Sequence, residues 1–290
     1  MIIPIPTSST PQQSYILHEK GYRDYDGAGV GLLSIKSFFG GQAFYEVGRN
    51  RYLVGEGTHL VLNHGRRYTI QIASTAPMDS FCVFFAAGFA EEVRRSLTTP
   101  DDNVLSDPFK QTAPLLFFEK TYPHDALLSP AILQLHAGIE VGHATQGWLE
   151  EQLHRLMQRL LQVHHNVYQE VEALPAARPA TREELYRRLQ CARDYATALF
   201  NTPITLSELA DVACLSPNHL LRTFKQLFGQ TPHQFITSKR LEEAQRLLLH
   251  REHSITDICF AVGFESLGAF SWLFRRRFGI SPTEFRQQKR

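Results

Sequence analysis

Apolar residues recur along this chain with two different periods, and the change from one to the other divides it. Between about residues 30 and 86 the period is two. The runs Gln42–Val47, Thr58–Leu62, 68–72 and 80–85 are rich in aromatic and β-branched residues. Turn signals separate them: Gly40-Gly41, Gly48-Arg49-Asn50, Gly55-Glu56-Gly57 and Asn63-His64-Gly65. Short strands at this spacing predict a small barrel or sandwich. In Tyr68-Thr69-Ile70-Gln71-Ile72 the alternation is strict, so one face is buried and one is wet. Residues 1–14, rich in Pro, Ser, Thr and Gln, read as a flexible arm.

Beyond a loop-rich stretch at 98–114 the period lengthens to about 3.6. It predicts one helix over 129–140 and a second over 146–173. In the second, Leu149, Leu153, Leu156, Leu160, Val163 and Val167 follow a 4-3-4-3-4 spacing, a heptad seam. Such a seam suits a dimer-forming helix. The alternative is a helix packed on its own β-domain, which Met157 and Leu161 keep open, and both can hold on different faces. Residues 174–180 carry Pro175 and Pro179, which end the helix and favour a semi-extended linker. Everything after it is helical.

This last part contains an internal repeat. Leu206, Leu209, Ala210 and Ala213 stand at i, i+3, i+4, i+7, as do Ile255, Ile258, Cys259 and Val262. Each set forms one apolar stripe on a two-turn helix. Behind them Leu220, Phe224, Phe228, Gly229, Pro232 and Phe235 correspond to Phe270, Phe274, Phe278, Gly279, Pro282 and Phe285. The offset is 49 in front and 50 behind, so the second turn holds one extra residue. Thr205-Leu206-Ser207-Glu208 and Ser281-Pro282-Thr283-Glu284 are capping boxes. Ser216-Pro217 and Thr231-Pro232 pair an N-cap with a first-turn proline. Gly229 and Gly279 can end helices in the left-handed conformation. Each unit therefore reads as a helix-turn-helix, and a connecting helix over 232–249 turns Ile236, Leu241, Ala244, Leu247 and Leu248 inward.

In the first unit Leu220, Leu221, Phe224 and Leu227 are expected to face the core. Ser216, Asn218, His219, Arg222 and Lys225 then remain outside, with groups suited to base edges and phosphates. The second unit offers Ser266, Leu267, Gly268, Ser271 and Trp272, then Arg275, Arg276 and Arg277. Leu267 and Gly268 cannot make bidentate hydrogen bonds to bases, so this unit is expected to bind through phosphates and apolar contact. Base discrimination then falls mainly to the first unit.

Composition adds a charge asymmetry. Residues 181–290 hold 16 Lys/Arg against 11 Asp/Glu, whereas residues 1–180 hold 14 against 18. A basic C-terminal part suits nucleic acid. No apolar run approaches a membrane span, the first residues lack the pattern of a signal peptide, and the four cysteines form no C-x-x-C. A cytoplasmic protein without membrane association fits. No Walker phosphate loop, G-x-S-x-G elbow or triad spacing is present, so no enzyme activity, cofactor or metal is expected.

The stretch Ile255-Thr256-Asp257-Ile258-Cys259-Phe260-Ala261-Val262-Gly263-Phe264-Glu265-Ser266, followed by Phe270-Ser271, Phe274, Phe278-Gly279 and Ser281-Pro282, closely resembles the signature of the AraC/XylS family of bacterial transcription regulators. Arg240, Ala244 and Leu247-Leu248 fit as well, and the match spans roughly residues 182–288. The resemblance implies an α+β protein of two domains: an N-terminal cupin-like β-barrel or jelly roll with helices, and an all-α double helix-turn-helix domain of seven helices. Its two recognition helices would lie about 34 Å, one DNA turn, apart. The family's base-contacting positions fall on Asn218, Leu221 and Arg222, and on Leu267, Gly268 and Trp272. The implied layout is an arm (1–14), a sensor domain (15–145), a dimerisation helix (146–173), a linker (174–181) and a DNA-binding domain (182–290). The implied partners are double-stranded DNA, a second copy of the chain, RNA polymerase and a small-molecule effector. Phe38, Tyr45, His59 and Phe84 are candidate pocket residues among many strand aromatics.

One rival reading is a cupin-type metal-dependent enzyme fused to a DNA-binding domain. Its ligands would come from Glu56, His59 and His64, which lack the H-x-H spacing. A repair protein with a zinc-bound nucleophilic cysteine is disfavoured, because the N-terminal half holds only Cys82.

Overall fold

The computed structural model describes residues 2–4, 13–21, 24–73, 77–98, 114–176, 178–249 and 253–288. The chain divides into two compact units, Met1–Glu183 and Glu184–Arg290.

Ten strands are described in the first unit: β1 (Ile2–Pro4), β2 (Tyr15–Gly21), β3 (Asp24–Val30), β4 (Leu33–Gly40), β5 (Gln42–Val47), β6 (Asn50–Gly55), β7 (Thr58–Leu62), β8 (Arg67–Ala73), β9 (Met78–Phe85) and β10 (Thr121–Pro123). They form one sheet in the order β1-β2-β9-β4-β7-β10 and a second in the order β3-β8-β5-β6. Phe38, Leu60, Leu62 and Met78 of the larger sheet share a core with Ala43, Tyr45, Val47, Tyr52, Val54 and Ile72 of the smaller one. Successive side chains alternate between faces, so Ile35, Phe81, Val83 and Phe85 point away from that core, where they too are buried. The helices α1 (Phe89–Thr98), α2 (Leu128–Glu140) and α3 (Gln146–Glu172) lie on that side. Phe85 stacks on Phe89 of α1, and Phe81 meets the edge of His136 on α2.

Several expectations change here. The arm was expected to span residues 1–14, but Ile2–Pro4 pairs with Tyr15–Leu17 and extends the larger sheet; residues 1 and 5–12 lie outside the described residues. Strands β2, β3, β4, β6 and β10 and helix α1 are additions to the sequence reading. Six consecutive residues of β4 are buried because both faces are covered, which erases the period-two signal. The loop expected at 98–114 falls almost wholly outside the described residues.

The heptad seam is also corrected as an interface. Leu149, Leu153, Leu156, Leu160, Val163 and Val167 are at most 6% exposed within the single chain, because α3 packs against α1 and α2. Trp148 lies over Gly138 of α2, where a Cβ would come within 2.2 Å of its ring. A seam already covered from within cannot also form a coiled coil. The linker is shorter than expected too, since Pro179 opens helix α4 (Pro179–Ala198), where its missing N–H has no cost.

In the second unit α4 continues into α5 (Leu206–Val212), α6 (Pro217–Phe228), α7 (Pro232–Leu249), α8 (Ile255–Ala261), α9 (Leu267–Phe278) and α10 (Pro282–Gln288). The repeat is visible bond by bond. Leu215 N–H donates to the Ala210 carbonyl, and Phe264 N–H to that of Cys259. Thr205 and Glu208 cap α5 reciprocally, as Ser254 and Asp257 cap α8. Gly229 and Gly279 end α6 and α9 at φ 71° and 82°. Leu241, Ala244 and Leu248 of the connecting helix pack with Ile258, Cys259, Val262, Phe270, Phe274 and Phe285.

The two turns differ at one position. Gly263 holds φ +91°, and its counterpart Cys214 takes φ 50°, a left-handed value that disfavours a side chain. Cys214→Gly is expected to raise stability by roughly 0.5–1 kcal/mol, relief of strain outweighing the added freedom of the unfolded chain. A thermal melt showing a loss would refute that balance.

Candidate nucleic-acid interface and sandwich interior

Helices α6 and α9 hold equivalent places in the duplicated motif, and their free faces define the candidate interface. On α6 the core side is Leu220, Thr223 and Phe224. Asn218, Arg222 and Lys225 are exposed and His219 is half-buried. Leu221, expected in the core, is 38% exposed and joins the outer face beside Arg222. Leu227 is half-buried. Ser216 caps the helix, its hydroxyl accepting from His219 N–H, which holds the first turn rigid at the end where Asn218 projects.

On α9 Phe270 and Phe274 are buried. Leu267 and Trp272 are 40% and 60% exposed, Gly268, Arg275 and Arg276 are exposed, and Ser271 is half-buried. Ser266 caps this helix through Ala269 N–H. Nothing lies within 4 Å of a Cβ placed on Gly268, so its own fold does not require the glycine. Trp272 leaves the core and carries the Arg276 guanidinium 5.3 Å from its ring centroid. An indole and a cation presented together offer apolar and phosphate contact from one turn of helix. The one extra residue of the second turn is Glu265, between Phe264 and the cap.

The four pocket candidates do not converge. Phe38 and Tyr45 belong to the sandwich core, and Phe84 packs with Leu32 and Cys82 in a neighbouring cluster. His59 faces the helices instead: its ring nitrogens engage Ser37 Oγ at 3.0 Å and Ser129 Oγ at 3.1 Å. Burial, reinforced by His124, pulls its pKa down to about 4. It is a packing histidine with both ring nitrogens engaged, and among the described residues it does not gather with Glu56 and His64 as the rival enzyme would need.

One group in the interior escaped the sequence reading. Lys36 on β4 is 2% exposed. Among the described residues it has no ion pair or hydrogen bond, and its ammonium lies over the rings of Phe84 and Tyr68, at 3.7 and 5.0 Å from their centroids. Burial pulls its pKa down to about 8. The nearby Ser34 Oγ is buried without a hydrogen-bond partner among the described residues, and burial pushes the Tyr68 hydroxyl up to about 12. A lysine flanked by serines in a strand ordinarily signals a wet face. Only the inward phase of Ser34, Lys36 and Phe38 against Leu33 and Ile35 could have suggested otherwise.

Two exposed second helices on a duplicated scaffold define a helix-turn-helix DNA-binding domain. Residues 209–288 match the family model described as a helix-turn-helix domain, and the C-terminal unit is a domain of the AraC family type. The chain is 38% identical over 82 residues to a probable transcriptional regulator LumQ of Photobacterium leiognathi, covering 28% of this chain and 33% of that one. It is 42% identical over 88 residues to the HTH-type transcriptional activator RhaS of an Enterobacter species, covering 30% and 32%. The chain thus spans about a third of the length of these curated relatives. A solved structure of a probable AraC family transcriptional regulator from Rhodopseudomonas palustris is 28% identical, covering 36% of this chain and 97% of that one, with a TM-score of 0.34. Among the described residues no helix is long and apolar enough to cross a membrane.

Proposed function

We propose that the whole chain is a cytoplasmic, sequence-specific transcriptional regulator that binds double-stranded DNA as a homodimer. Its N-terminal unit is read as a cupin-like domain that senses a small molecule, and its C-terminal unit as a seven-helix double helix-turn-helix. The observation that carries this is the outer face of α6, where Asn218, Leu221, Arg222 and Lys225 stand exposed on a capped, core-anchored helix. The buried ammonium of Lys36 supports the sensing half, as the interior group that would meet a polar effector. The dimer must use a surface other than the buried seam of α3. RNA polymerase is the further partner if the bound protein activates.

Selection of bound duplexes from a random pool by the full-length protein tests the reading. Arg222→Ala is expected to cost about 1–3 kcal/mol on the preferred sequence and to relax preference there, whereas Arg275→Ala should weaken all sequences alike. With about six phosphates neutralised per DNA-binding domain, the log–log salt slope per domain should approach roughly −5. Affinity indifferent to salt and sequence alike would refute the function.

A further inference from the structure

We propose that the first unit carries a site for a divalent transition-metal ion, taking zinc, formed by His18, Asp79 and His136. The three residues come from β2, β9 and α2, and one ligand atom from each lies within 4.8 Å of the others. Both imidazoles aim at one carboxylate: His18 Nε2 lies 2.9 Å from Asp79 Oδ1, and His136 Nε2 lies 3.2 Å from Asp79 Oδ2. An ion about 2.0–2.1 Å from each ligand in a tetrahedron sets neighbouring ligand atoms roughly 3.3 Å apart. The two histidine–carboxylate gaps are close to that spacing, and the remaining separation, within 4.8 Å, closes to it by a small side-chain movement. Two neutral imidazoles and a carboxylate suit zinc better than magnesium or calcium, which prefer oxygen alone.

The surroundings fit as well. His18 pairs across the sheet with Phe81, so it and Asp79 share the face turned toward α2. Phe81 and Phe39 pack on His136, with ring centroids 5.1 and 4.0 Å away, which restrains that imidazole. Glu140 stands one turn beyond His136, with Oε1 3.5 Å from His18 Nδ1. That is the place of the outer carboxylate which fixes the tautomer of a ligating histidine. Lys20, half-exposed, lies 3.5 Å from Asp79 Oδ2 and also pairs with Glu140. It supplies at the rim the positive charge that the ion would replace. The site lies outside the sandwich core, and it was hidden from the sequence because its residues stand 57 and 61 positions apart.

The test uses the full-length chain, free of any affinity tag and stripped with a chelator, titrated with Zn²⁺ against a chromophoric competitor. The expected result is one equivalent bound with submicromolar Kd, and an intense tetrahedral visible spectrum when Co²⁺ replaces zinc. His136→Gln should lose roughly 100-fold or more in affinity, and Lys20→Gln should bind at least as tightly as the parent. His165→Gln, at an exposed position of α3, should match the parent. Circular dichroism of the metal-free His136→Gln chain checks its fold; should it be unfolded, His136→Asn and the Co²⁺ spectrum of the parent carry the decision. No saturable binding in the micromolar range, an octahedral Co²⁺ spectrum, or unchanged affinity in the folded His136 variant overturns the proposal.

Discussion

Replacing Gly263 by alanine is expected to cost the C-terminal unit about 3 kcal/mol, enough to remove a large share of a typical domain's stability. Two effects add. Gly263 holds φ +91°, and a Cβ there would lie 2.6 Å from the carbonyl oxygen of Asn201 and 2.9 Å from its carbon. The left-handed backbone alone costs roughly 1–2 kcal/mol for a residue with a side chain. The clash cannot be relieved by a rotamer, since both opposing atoms are backbone. Nor can that backbone retreat freely. Arg240 Nε donates to the Phe200 carbonyl at 2.6 Å and its Nη2 to that of Thr202 at 2.9 Å. The connection between α4 and α5 is thus clamped from α7 and pressed against the turn between α8 and α9, which makes Gly263 a point of obligatory close packing in the DNA-binding unit. Urea unfolding followed by circular dichroism measures the cost, and a loss under about 1 kcal/mol would show that the connection yields. Cys214→Ala, at the equivalent turn, should be close to neutral by comparison.

Lys36→Met is expected to stabilise the N-terminal unit at pH 7, by up to about 3 kcal/mol. The lysine pKa is pulled down by burial to about 8 from its ordinary 10.5, and each unit of that depression corresponds to about 1.4 kcal/mol. Its sign follows from proton counting. Between pH 8 and about 10.5 the unfolded chain holds the proton that the folded chain has lost, so stability rises with pH across that window and the full penalty stands below it. Tyr68 acts oppositely: with its hydroxyl pushed up to about 12 by burial, its contribution is complete below pH 10 and is lost above. The native chain should therefore gain stability from pH 8 to about 10 and then lose it, and the methionine variant should lack the rise. Denaturant unfolding of the N-terminal unit at pH 7 and pH 10 decides. Equal slopes in both proteins would mean that the ammonium reaches solvent.

The C-terminal unit was legible because its signals are local. A capping box spans four residues and an apolar stripe eight. The turn between them repeats after 49 residues with the same hydrogen bonds. Even so, Leu221 was misplaced, because a helix whose apolar arc is wider than its contact leaves one member outside. In the N-terminal unit β5, β7, β8 and β9 could be read as aromatic and β-branched runs between turn signals, whereas β4, with six consecutive buried residues, and β3, interrupted by Gly27 and Gly29, could not. The heptad spacing of α3 correctly marked a buried face. What buries it, α1 and α2 rather than a second chain, lies in no local pattern.

Sequence by itself determined that this chain ends in two copies of a capped helix-turn-helix and that Arg222 and Arg275 lie off its apolar stripes. The tertiary structure decided what each buried stripe packs against, the burial of Lys36 over two aromatic rings, and the meeting of His18, Asp79 and His136 across three elements. Hydrophobic period reports that a face is covered, because burial selects residue type. It does not report the partner, because apolar surface is recognised by area and shape rather than by sequence.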